Sequence, residues 1–137
     1  MPKAPVNAPC PCGSGRKHKK CCRVFHGGRP AEPARLMPAR YCAYAVGNVD
    51  YLIATTHPEG PQWRDDEAAW RLELAAYCRA TRFLGLTVHS VEIPQPGEGD
   101  AFVTFTAELE HLGQPTSLRE RSRFRRHAGR WRYYDMR

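Results

Sequence analysis

Four of the six cysteines in this 137-residue chain, Cys10, Cys12, Cys21 and Cys22, fall in one short run: Pro-Cys-Pro-Cys-Gly-Ser-Gly-Arg-Lys-His-Lys-Lys-Cys-Cys. The pattern is Cys-x-Cys, a spacer, then Cys-Cys. Two close pairs joined by a short loop bring four thiolates to the corners of one tetrahedron, as a closed structural metal site requires. Gly13 and Gly15 let the loop turn sharply and aim its amides at sulfur. The neighbouring Arg16, Lys17, Lys19 and Lys20 favour thiolate over thiol. The segment has almost no apolar content, so its order is expected to depend on the ion. Zinc is the expected metal, with iron the second choice, because thiolate tetrads accept both. His18 and His26 stand nearby, but four cysteines already complete a shell. Adjacent Cys21 and Cys22 make a poor disulfide framework. Cys42 and Cys78 lie in apolar helical contexts and read as small buried hydrophobes.

These residues resemble the SEC-C motif, the zinc knuckle found at the C-terminus of the SecA translocation ATPase and in small bacterial proteins. The resemblance places the four ligands at Cys10, Cys12, Cys21 and Cys22. Cys22 stands where SecA has a histidine, a common variant.

The formal net charge is +7, and its distribution matters more than its size. Residues 1–31 hold seven basic side chains and no acid, whereas the rest of the chain holds 14 of each. The excess therefore sits on the cysteine segment, and the C-terminal stretch adds a local arginine cluster. Mean hydropathy is −0.61, and no apolar run approaches the length of a bilayer span. The first ten residues contain no apolar signal core, so a cytoplasmic chain is expected.

Residues 28–35, rich in Gly and Pro, read as a linker between a 1–27 knuckle and a 36–137 body. Helices are expected over Leu36–Gly47, Asp50–His57 and Asp65–Phe83. The last of these places Trp70, Leu74, Tyr77 and Thr81 on an inner stripe, with Cys78 alongside. Alternating patterns then predict strands at Leu86–Ile93, Ala101–Leu112, Ser117–Arg126 and Trp131–Asp135. On the second, Ala101, Val103, Phe105, Ala107 and Leu109 share one face. On the third, Leu118, Glu120, Ser122 and Phe124 alternate with Arg119, Arg121, Arg123 and Arg125. Three helices followed by a four-stranded antiparallel meander imply an α+β fold, with helices packed on one face of a curved sheet. The body is expected to fold without the knuckle.

That order matches an NTF2-like cone. Leu-Met-Pro-Ala-Arg-Tyr-Cys-Ala-Tyr (36–44), Asp-Tyr-Leu-Ile-Ala-Thr-Thr-His-Pro (50–58), Leu-Gly-Leu-Thr-Val (84–88), Glu-Arg-Ser-Arg-Phe (120–124) and Gly-Arg-Trp-Arg-Tyr-Tyr-Asp (129–135) resemble the bacterial YchJ family. The resemblance implies a SEC-C knuckle joined to an NTF2-like domain. It implies no settled activity.

Such cones often enclose a pocket, and Tyr41, Tyr44, His57, Glu120, Ser122 and Asp135 are the polar side chains expected to point into it. None is assigned to catalysis. The leading functional reading is a metal-binding adaptor whose basic knuckle, through Arg16, Lys17, Lys19 and Lys20, docks an acidic chaperone, ribosome or membrane surface. One alternative is an isomerase- or hydrolase-type enzyme with a pocket near His57 and Glu120. The other is a nucleic-acid-binding protein that combines the knuckle, the arginine stripe and stacking by Trp63, Trp70 or Trp131.

Overall fold

The computed structural model describes residues 5–96 and 99–137; Lys3, one of the seven N-terminal basic residues, lies outside them. A 3-10 turn, His18–Lys20, leads into a short helix α1, Cys22–His26. Helices α2 (Pro33–Val46), α3 (Val49–Ala54) and α4 (Glu67–Ala80) follow. Strands β1 (Thr81–Glu92), β2 (Ala101–His111), β3 (Gln114–His127) and β4 (Arg130–Met136) complete the chain. They form one antiparallel sheet in the order β1-β2-β3-β4. None of the helices is long and apolar enough to cross a membrane.

Local chemistry accounts for the helix ends. Asn48 and Asp66 accept hydrogen bonds from the amides of Tyr51 and Ala69, capping α3 and α4. Helix α2 starts at Pro33 rather than Leu36, so residues 33–35 are helical and not linker. The fixed φ of proline suits the first helical turn, where its missing N–H costs nothing. Helix α4 stops at Ala80, and the expected continuation to Phe83 is the start of β1 instead. Thr81 turns the chain there: its hydroxyl donates to Tyr77 O at 2.7 Å, and its backbone pairs with His111.

The two hairpins extend their strands beyond the expected limits. Leu112 (φ 51) with Gly113 (φ 81), and Ala128 (φ 51) with Gly129 (φ 80), form two-residue turns with both central residues left-handed. Such turns match the twist of the flanking strands. Pairing therefore resumes immediately, and β3 begins at Gln114 rather than Ser117.

The inner face of β2 is buried as the alternation predicts, with Ala101, Val103, Phe105, Ala107 and Leu109 between 0 and 7% exposed. It packs with Phe124, Trp131 and Tyr133 against Leu36, Met37, Tyr41 and Leu52. The four knuckle cysteines belong to the same buried cluster. The knuckle is thus packed on α2 rather than hanging from a linker. His26 Nε2 lies 2.8 Å from Ala39 O, and Cys22 Sγ lies 3.7 Å from Pro38 O.

Candidate metal centre and cavity

The knuckle is a small ribbon. Pro9 and Lys17 pair as an antiparallel bridge, and Cys10 N donates to Arg16 O at 2.8 Å. Gly13 (φ 82) and Gly15 (φ 85) occupy the left-handed region, which a Cβ would make costly. The loop between them folds back toward Cys21, and Ser14 Oγ sits 3.1 Å from its sulfur.

This geometry brings Cys10, Cys12, Cys21 and Cys22 together, every Sγ within 4.8 Å of the others. All four are buried, between 1 and 7% exposed. Cys12 and Cys21 are 3.5 Å apart at sulfur, too far for a disulfide and close to the edge of about 3.8 Å set by four Zn–S bonds of ~2.3 Å. The Arg35 guanidinium, 3.4 Å from Cys21 Sγ, supplies positive charge and a hydrogen bond from outside the tetrad. Four buried thiols cannot all ionise without a cation. Hydrogen bonding from Cys12 favours thiolate at Cys10, and Cys10 in turn drives Cys22 to keep its proton. The donor set therefore fits one thiophilic metal ion, which would cross-link both ends of the segment.

Two neighbours were not evident from the cysteine spacing. Cys42 is buried as expected, but it faces the knuckle, with its sulfur 3.8 Å from that of Cys10. The buried His18 places Nδ1 3.4 Å from Cys10 Sγ and 3.8 Å from Cys42 Sγ. Cys10, His18 and Cys42 thus form a second group with metal-ligand spacing that shares one member with the tetrad. His26 is tied to the α2 backbone instead.

Between the helices and the sheet lies a cavity of 360 Å³. Tyr41, Tyr44, Glu120 and Ser122 line it, as the alternation of β3 and the face of α2 predict. His57 and Asp135 do not, and both expectations are corrected. Residues 55–57 run alongside the β4 edge, with Thr56 bridging Tyr133 in parallel and His57 N donating to Tyr133 O at 2.8 Å. His57 therefore packs on the outer face, 5.2 Å from each of the His127 and Tyr134 rings. Its Nδ1 accepts from the Glu59 amide, and burial lowers its pKa. Asp135 is displaced by a bulge: Phe124 opposes Tyr133 but Arg123 opposes Asp135, leaving Tyr134 as the extra residue. A one-residue slip reverses the face of everything beyond it. Asp135 consequently meets Arg123 on the outside, at 2.7 Å.

That outer face carries the arginine stripe. Arg121 makes two bonds to Glu92, at 3.0 and 2.9 Å, and lies over the Phe102 ring. Arg125 makes two to Asp100, at 2.9 and 3.0 Å, and lies over Tyr134. Three of the four arginines are thus neutralised by carboxylates. Of the tryptophans, Trp70 and Trp131 are buried in the core and unavailable for stacking on a ligand.

A cysteine knuckle packed against a cone of helices on a curved antiparallel sheet defines a SEC-C motif protein with an NTF2-like domain. The SEC-C motif model matches residues 7–23, and the model for the middle NTF2-like domain of YchJ matches residues 32–136. The chain belongs to the YchJ family. It is 41% identical over 131 residues to a UPF0225 protein of Pectobacterium carotovorum subsp. carotovorum, covering 92% of this chain and 81% of the relative. The solution structure of RPA3114, a SEC-C motif containing protein from Rhodopseudomonas palustris, is similar with a TM-score of 0.77 and 32% identity, over 95% of this chain and 98% of that one. The crystal structure of a SEC-C motif containing protein from Psychrobacter arcticus shares the fold, with a TM-score of 0.68 and 21% identity over 98% and 82% of the two chains.

Proposed function

We propose that this protein is a cytoplasmic metal-binding adaptor whose knuckle, closed by zinc or alternatively iron, docks an acidic protein surface. The observation that carries this reading is a contrast in charge pairing. Arg16, Lys17, Lys19, Lys20, Arg23 and Arg29 are exposed, and among the described residues none has an ion-pair partner. The arginine stripe, by contrast, is largely neutralised within the fold. Unpaired charge on a small rigid knob raises encounter rates with an acidic partner. The metal serves by fixing the knob in place, and the NTF2-like cone supplies the scaffold.

The nucleic-acid reading loses support because three of the four stripe arginines are paired with carboxylates. The enzyme reading loses support because His57 and Glu120 lie on opposite faces of the sheet.

The test is capture from bacterial lysate, with and without nuclease treatment, at rising salt, comparing wild type with the Lys17→Glu/Lys19→Glu/Lys20→Glu variant and an Arg119→Glu/Arg121→Glu variant. Exposed charges beyond about 8–10 Å are screened at physiological salt, so capture should fall steeply with salt. It should disappear in the lysine variant, which keeps its metal. Loss of capture on nuclease treatment identifies nucleic acid as the partner. Capture lost only in the arginine variant assigns the function to the cone.

A further inference from the structure

The walls of the cavity are aromatic on both sides. Tyr41 and Tyr44 of α2 and Tyr77 of α4 face Phe83, Phe105 and Phe124 of the sheet. Tyr41 meets Phe83 edge-on at 5.5 Å, and Tyr44 stacks on Phe83 at 6.0 Å. Into this lining β3 delivers one carboxylate, that of Glu120. No hydrogen bond or ion pair to Glu120 occurs among the described residues, and burial raises its affinity for a proton.

The cavity also contains one base, Arg40, but its charge is already engaged. Its guanidinium donates to Leu52 O at 3.1 Å and to Thr55 Oγ1 at 2.6 Å, at the C-terminal end of α3, and it lies over the Tyr133 ring. A helix C-terminus and an aromatic face both favour a cation. Glu120 has no comparable partner. A second polar group is incompletely met: Tyr41 is 95% buried, and its hydroxyl has the Gly85 backbone as a polar neighbour but makes no full hydrogen bond.

We propose that this cavity binds a small organic cation, an ammonium group bearing methyl or methylene substituents, seated against the aromatic rings with Glu120 as its counter-charge. Electron-rich ring faces attract a weakly hydrated cation, and the attraction grows in a desolvated pocket. The same surroundings penalise an isolated carboxylate, and a bound cation relieves that penalty. A hydroxyl on the ligand would satisfy Tyr41. The volume of 360 Å³ lies within the range of small-ligand sites. The inference stands apart from the adaptor reading, since the cavity and the knuckle are separate features.

Choline serves as the probe, and 3,3-dimethyl-1-butanol, its neutral carbon counterpart, as the control. Binding to the metal-loaded full chain is followed by the ring-current shift of the ligand methyl protons. Choline should bind about tenfold tighter than the neutral alcohol. Glu120→Gln should weaken choline about tenfold while leaving the alcohol unchanged. Tyr44→Leu should weaken choline more than the alcohol. Equal affinity for the two ligands in the wild type overturns the proposal without reference to any variant. So does an unaffected Glu120→Gln, or the absence of a choline shift up to about 50 mM.

Discussion

The sulfur of Cys42, in the middle of α2, lies 3.8 Å from the sulfur of Cys10 in the knuckle. The metal-ligand segment and the body of the protein therefore meet at a thiol–thiol contact, with His18 Nδ1 touching both. Cys10 belongs to two overlapping groups with metal-ligand spacing. Four thiolates form the more complete shell, so Cys42 and His18 stand outside it.

Cys42→Ala should accordingly keep one metal per chain, whereas Cys12→Ser should lose it. Metal content by elemental analysis, with release to a chromogenic chelator, reads both. The Cys42 variant should also lose about 1 kcal/mol of stability, because a fully buried sulfur leaves a small void. If Cys42→Ala emptied the site while Cys12→Ser left it filled, the Cys10–His18–Cys42 group would be the metal centre.

Chelation should destabilise the whole chain rather than melt the knuckle alone. Cys10, Cys12, Cys21 and Cys22 share one buried cluster with Leu36, Cys42 and the inner face of the sheet. Metal held at about a hundredfold above its dissociation constant contributes ~2.7 kcal/mol. Calorimetry should show one transition that moves down by several degrees when chelator is added. An unchanged main transition would mean that the body folds independently of the knuckle.

Glu120→Gln should stabilise the protein near neutral pH. Burial raises the folded-state pKa of Glu120 above its ordinary 4.5. Above that value the folded state must hold a half-buried carboxylate that the unfolded chain holds in water. The native state therefore loses stability as pH rises through the folded pKa, and it loses nothing below 4.5. Urea denaturation of both proteins at pH 4 and pH 7 should give equal midpoints at the lower pH and a higher midpoint for the variant at the upper one. A variant less stable at pH 7 would show that Glu120 has an internal partner.

The two hairpin turns carry a correctable strain. Leu112 and Ala128 are left-handed residues ahead of glycine, and Leu112 is 73% exposed. Asparagine tolerates this conformation far better, and Asn-Gly favours the same turn type. Leu112→Asn and Ala128→Asn should each add roughly 0.5–1 kcal/mol. Thermal unfolding of the double variant should show additive gains, since the turns lie in different hairpins.

Much of this protein was written locally. The clustering of Cys10, Cys12, Cys21 and Cys22 follows from their spacing, because sulfur geometry depends on a single short loop. The alternation of Leu118, Glu120 and Ser122 with the arginines assigned each to its face, because the period of a strand is two. Three features depended on longer-range contacts. His57 follows a helix in the sequence, yet its place is set by a parallel bridge to β4, far along the chain. Asp135 obeys the alternation until the bulge at Tyr134 reverses it. The partners of the arginine stripe are fixed only when folding brings Glu92, Asp100 and Asp135 beside it.

The sequence by itself determined the clustering of four cysteines, the helix-then-meander order and the inward face of β3, since each follows from neighbours a few residues apart. Only the tertiary structure decided that Cys42 faces the cysteine cluster, that Glu120 stands among aromatic rings and that Arg121, Arg123 and Arg125 are paired with carboxylates while the basic side chains of the knuckle are not. Those outcomes depend on which distant groups become neighbours, and the energies of buried thiols, carboxylates and arginines are set by such neighbours.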